Sequence, residues 1–192
     1  MKKYFLLIAI AIATGFTSCD VYTDEEAGGT SVEKMAGTWT VTFEQSYAEY
    51  QYLIEGTGAD PQLTSMTPEQ LDQQEWVDAY GVGKVTVMTS NTAANVDTEM
   101  WFVDNSFWGT QVRCSVDYPN RTFECTDQVP LNYDGDCLVN IIGGKVLEGA
   151  ATTPRGMAAD SIVAYISYTD DEYGFTYMKM SGYRYTGFAE DR

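Results

Sequence analysis

The sequence predicts an all-β fold, an antiparallel sheet of about eight strands closed into a barrel. Three observations carry that prediction. Apolar and polar residues alternate with period 2 through most of the chain, the mark of half-buried strands. The alternating runs are joined mostly by short polar turns, which suits antiparallel neighbours. A long run near residue 143 carries two glycines in its middle, as at the bent corner of a barrel. Closure into a barrel removes sheet edges that would otherwise template aggregation. A β-sandwich is the second choice.

The elements follow in order. Trp39, Val41 and Phe43 alternate with Thr38, Thr40, Thr42 and Glu44, giving a first strand. Residues 83–89 set Val85 and Val87 against Lys84 and Thr86, and residues 99–104 (EMWFVD) make a short apolar strand. Residues 110–126 read as a hairpin turning at Pro119-Asn120, so that 118 faces 121, 116 faces 123 and 114 faces 125. Cys114, Val116, Phe123 and Cys125 then share one face. Residues 137–149 hold Gly143-Gly144, and residues 161–188 read as a hairpin turning near Asp170-Asp171-Glu172.

One long connection, residues 46–81, interrupts the strands. Within it Thr67, Pro68 and Gln70 form a capping box with proline at the first helical position. A short helix is expected there, with Leu71, Trp76, Val77 and Tyr80 on its apolar face. Long loops of this kind serve as lids or as plugs of a barrel end.

The N-terminus reads as an address. Lys2 and Lys3 precede an apolar run from Tyr4 to Ala13 and then Thr14, Gly15, Thr17 and Ser18, the layout of a secretory leader over residues 1–18. Ten apolar residues are too few to span a bilayer, which takes ~20. Ser18-Cys19 after small residues is similar to a bacterial lipobox, although Phe16 replaces the usual leucine. Lipidation of Cys19 would anchor the chain to membrane by acyl chains. The expected location is the cell envelope, as an outer-membrane lipoprotein. Residues 19–30, acidic and glycine-containing, form a flexible tether, and residues 31–192 form the single domain.

Composition narrows the function. The chain has a net charge of −17. Without Lys2 and Lys3, the part from Cys19 onward keeps 9 basic residues against 28 acidic ones, a charge of −19. That argues against nucleic acid as partner. There is no histidine, which excludes Ser-His-Asp and Cys-His catalysis and histidine-based zinc sites. Cys114, Cys125 and Cys137 lack metal-ligand spacing. Cys114 and Cys125 are placed for a cross-strand disulfide, and buried free thiols fit equally well. Asp134 and Asp136 flank a glycine, better read as a turn than as a calcium loop. No metal or cofactor is expected.

The stretches GGTSVEKMAGTWTV, TSNTAANVDTEMWFVD and GYRYTGFAED resemble the Bacteroides-type lipoproteins described as lipid-binding putative hydrolases, over essentially the whole mature chain. The resemblance implies a lipocalin-like (calycin) barrel. Gly37-Thr38-Trp39 also looks like the G-x-W of lipocalins. By that likeness Trp39 closes one barrel end and Arg184 packs over it, a favourable cation–π contact. The hydrolase half of the description has no visible machinery. Converging carboxylates with perturbed pKa would be needed.

The resulting expectation is a monomeric binding module holding a small apolar or amphipathic ligand inside the barrel. Phe43, Val87, Phe102, Met178 and Met180 are the candidate lining residues, since methionine adapts to irregular guests. The same side chains could instead simply fill the core. Surface glycan binding through Trp76, Trp101 and Trp108 is the alternative, and would require those rings to be exposed.

Overall fold

The computed structural model describes residues 29–133 and 135–191. The predicted leader, Cys19, residues 20–28 of the tether and Asp134 lie outside them. Among the described residues nine strands and two short α-helices follow one another. They are β1 (Gly37–Ser46), α1 (Tyr47–Leu53), α2 (Pro68–Leu71), β2 (Trp76–Val77), β3 (Val85–Asn91), β4 (Glu99–Asp104), β5 (Gln111–Asp117), β6 (Thr122–Gln128), β7 (Val139–Thr152), β8 (Ala158–Tyr168) and β9 (Met178–Arg184). The strands run in the order β2-β1-β3-β4-β5-β6-β7-β8-β9, and β1 also pairs with β9. All pairings are antiparallel. Eight strands therefore close a barrel, and β2 adds a two-residue flap on the tip of β1. Closure rules out the sandwich.

β1 is shared between three partners. Its first half pairs with β3 (Trp39↔Val87), most of its length with β9 (Trp39↔Arg184 through Gln45↔Met178), and its tip with β2. Gly182 makes the β1–β9 seam possible. A Cβ at that position would sit 2.0 Å from the Thr40 carbonyl oxygen and 2.7 Å from the Val41 Cα.

The paired glycines of β7 do form a bulge. The β7–β8 register jumps between Ile142 and Lys145, and the β6–β7 register shifts beside it. Gly143 has φ +60°, and a Cβ there would meet Pro68 of α2 at 2.8 Å. A Cβ on Gly144 would strike the Phe123 carbonyl at 2.4 Å. Two backbones and a helix thus meet where no side chain fits. The β5–β6 hairpin has the expected register, Val116↔Phe123.

The long connection differs from its prediction. The Thr67–Gln70 capping box forms, but the helix stops at Leu71. Trp76 and Val77 leave it and pair with Ser46 and Gln45 instead. Trp76 still packs on Tyr165, with ring centroids 5.4 Å apart, and Leu71 stays buried beside them. Cross-strand hydrogen bonds and that aromatic contact outweigh the weak propensity of a short helix. A second helix, α1, follows β1 without a break. Ser46 caps it by accepting from the Glu49 N–H.

Candidate ligand-binding site in the barrel

The inward faces of all eight barrel strands contribute to one buried apolar cluster. Phe43, Val87, Phe102, Met178 and Met180 all lie in it, each at most 1 % exposed. Phe43 and Met180 are direct cross-strand partners, and Met178 faces Gln45. Phe102 stacks on Phe123 at 6.5 Å. Met35 and Met100 belong to the same cluster. The barrel interior is therefore a continuous apolar space filled by side chains, four of them unbranched, polarisable methionines.

One end is sealed. The Arg184 guanidinium lies over the Trp39 ring, 4.5 Å from its centroid. It donates to the carbonyls of Ala36 and Lys34 and pairs with Asp160 at 3.1 Å. The Trp39 Nε1–H donates to Thr89 Oγ1 at 2.8 Å, and Thr89 donates on to the Met35 carbonyl at 2.5 Å. Val32 and Met35, fully buried in the turn preceding β1, complete the closure.

The opposite end is a mouth roofed by aromatic rings. Asp104, fully buried at the end of β4, builds the roof's frame. Its carboxylate accepts the backbone N–H groups of Ser106, Phe107 and Trp108 at 2.7–2.9 Å. This loop drops Phe107 onto Phe43, centroids 4.5 Å apart, and stacks Trp108 on Tyr168 at 4.6 Å. Tyr80 meets Phe107, Trp108, Tyr173 and Phe175 edge to face. Asp171 accepts from the Tyr80 hydroxyl and from the backbone of Tyr173 and Phe175, and Asp170 from Trp108 Nε1 and the Tyr133 hydroxyl. Asp104→Ala should strand three backbone donors, since hydrogen bonds to a charged acceptor are worth ~1.5–3 kcal/mol each and surface water replaces part of that. The expected cost is about 3 kcal/mol, read as a lower thermal midpoint with loss of the near-ultraviolet circular dichroism of the Trp108–Tyr168 stack.

The electrostatics of the mouth follow from these contacts. Burial raises Asp170, but bonds from Cys137, Tyr133 and Trp108 outweigh it and hold the carboxyl below its ordinary value. In return the bond to Asp170 pushes Tyr133 up to about 12. Burial, with Asp170 nearby, pushes Cys137 up to about 12 as well. Burial raises Glu49 of α1, partly countered by its bonds to Thr176. Because Asp170 is depressed in the folded chain, its contribution to stability is present above about pH 4, the unfolded carboxylate value. It is lost as the pH falls through the folded value. Below pH 4 the thermal midpoint of the native protein should therefore fall more steeply than that of Asp170→Asn.

Four buried side-chain atoms lack a hydrogen-bond partner among the described residues: Gln45 Nε2, Glu49 Oε2, Thr110 Oγ1 and the Tyr168 hydroxyl. The hydroxyls of Thr110 and Tyr168 lie close to each other but outside hydrogen-bond geometry. All four residues are at the mouth end. Gln45 continues the inward face of β1 beyond Phe43, and its Oε1 accepts from Ala79 N. Glu49 Oε1 accepts from Thr176 N and Oγ1 at 3.0 and 2.6 Å.

The cysteines and tryptophans are placed as follows. Cys114 and Cys125 are free, buried thiols in mutual contact. They flank the part of the wall where β5 and β6 have ceased to pair, beneath an outer groove of about 380 Å³. Cys137 is buried and free near the mouth, and Asp136 is exposed. Another groove, about 520 Å³, lies between α2 and the β6–β7 bulge. Trp76 and Trp108 are packed on tyrosines with their indole N–H groups bonded, and Trp101 is half-buried on the outer face of β4. Among the described residues no three Cys, Asp or Glu side chains converge as a metal site. No curated protein matches the chain. A family model described as "Lipid-binding putative hydrolase" matches residues 24–189. The chain belongs to that lipid-binding family.

Proposed function

We propose that the protein is an envelope-anchored lipoprotein whose barrel holds one small apolar or amphipathic, lipid-like ligand. The observation that carries the reading is the continuous apolar interior, sealed at the Trp39–Arg184 end and roofed at the other by packed aromatic side chains. A barrel of eight strands has room for one small guest if interior side chains yield, and Met35, Met100, Met178 and Met180 are the ones most able to re-pack. Phe107 and Trp108 act as the lid. Val129 and Leu131 beside the mouth are about two-thirds exposed, an apolar rim suited to a lipid surface. Cys19, after the apolar leader, supplies the anchor, with the outer membrane as its site. The barrel works as a monomer.

Native mass spectrometry of the protein purified from its own envelope tests this. A bound mass that leaves on denaturation and fragments as a lipid is the expected result. A clean apo mass, with no uptake of fatty chains or an apolar dye, would sink the carrier reading. Labelling with a fatty-acid tracer should mark the protein and spare Cys19→Ala.

A further inference from the structure

We propose that the guest is a cationic amphiphile, a long-chain ammonium compound, held with its head at the aromatic mouth and its chain toward Trp39. This rests on the carrier reading and names the ligand class for it. The first support is the set of unpartnered buried atoms. Such atoms are costly to leave unpaired in a buried place and call for a partner. Gln45, Glu49, Thr110 and Tyr168 are at least 96 % buried and sit together at one end of the barrel. Gln45 and Tyr168 lie on the inward faces of β1 and β8. Ionised, Glu49 Oε2 only accepts, and the two hydroxyls offer acceptor lone pairs, whereas Gln45 Nε2 is a donor that an ammonium leaves unmatched. An ammonium brings up to three N–H donors to the carboxylate and the two hydroxyls. A carboxylate or phosphate head brings none and would meet the charge of Glu49.

The second support is the charge around the mouth. Among the described residues, 78–84, 105–110, 129–133, 135–138 and 169–177 contain Asp78, Asp136, Asp170, Asp171 and Glu172 against Lys84 alone. The Lys84 ammonium is already engaged by Tyr183, 3.1 Å from its hydroxyl. A cleft with one sign of charge concentrates the opposite ion. The third support is the lid itself. Tyr80, Phe107, Trp108, Tyr173 and Phe175 gather five aromatic rings at the mouth, and a cation entering among them would gain cation–π attraction that an anion would not.

The test compares three probes of equal chain length, dodecylamine, dodecanol and dodecanoate, at pH 7 and low salt. Displacement of Nile red and native mass both report binding. Dodecylamine should bind at least tenfold more tightly than dodecanoate, with dodecanol between. Glu49→Gln should shrink the amine-to-carboxylate ratio severalfold. Tyr168→Phe, which keeps the ring and removes one unpartnered hydroxyl, should weaken amine and alcohol severalfold more than it weakens Nile red. Dodecanoate binding as tightly as dodecylamine would overturn the head-group assignment and leave the carrier reading intact. So would an amine preference untouched by both variants, since general attraction to an acidic surface would then explain it. Failure of Nile red and all three probes to enter the folded protein would overturn both.

Discussion

Gly182→Ala should destabilise the protein by at least about 3 kcal/mol, the upper end for overpacking, because no side-chain adjustment relieves the clash. The atoms in the way are the Thr40 carbonyl oxygen and the Val41 Cα, both backbone and both in β1. The methyl can be housed only by pushing β1 and β9 apart, at the seam that closes the barrel. For a domain of this size the thermal midpoint should fall by roughly 6–12 °C. Gly56→Ala is the control. Its φ is +65°, so alanine is strained there too, but nothing lies within 4 Å of the added carbon. A Gly182→Ala loss no greater than the control's would refute the packing account of the seam.

Trp39→Ala should cost about 4 kcal/mol, within the ~3–5 kcal/mol typical of removing a buried large aromatic. Three partners lose the indole at once. Thr89 Oγ1 loses its donor, Arg184 loses the ring beneath it, and the Val32–Met35 turn loses its floor. Arg184 keeps Asp160 and the two carbonyls, so the damage should be a cavity at a still-tethered end rather than a freed cation. Trp39→Phe should recover part of the loss through burial alone. Equal midpoints for Trp39→Ala and the native protein would remove Trp39 from the closure.

Much of the scaffold was legible because it depends on short-range pattern. Alternation in Trp39-Val41-Phe43 named the inward face of β1, and that face is buried. The turn at Pro119-Asn120 fixed the β5–β6 register, and Gly143-Gly144 announced the bulge. The capping box of Thr67 and Gln70 located the start of α2 but not its end. Trp76 and Val77 were misread because their partners, Ser46 and Gln45, lie some thirty residues away. α1 was missed although Ser46-Tyr47-Ala48-Glu49 has capping-box spacing, because no turn residue separates it from β1.

The candidate site was far less legible. Its lining residues follow from alternation, but the roof does not. Tyr80, Phe107, Trp108, Tyr168, Tyr173 and Phe175 come from three loops and one strand end, with no common period. Only closure of the barrel gathers them. In the sequence Asp104 is no more than the last residue of the EMWFVD run. The signal was there in Asp-Asn-Ser, since aspartate before such a turn accepts from the backbone ahead of it. Its consequence, the placing of Phe107 and Trp108, required the fold.

The meander leaves one pairing for last. Every strand from β3 to β9 binds the strand next to it in sequence, whereas Trp39 and Arg184 pair across almost the whole domain. At ~5–20 residues per second of synthesis, β1 emerges roughly 7–30 s before β9 exists. Until then Phe43 and the far edge of β1 have no partner strand, and closing so large a loop is the costliest step in chain entropy. Folding of this barrel should therefore be slow and limited by the docking of β9 on β1.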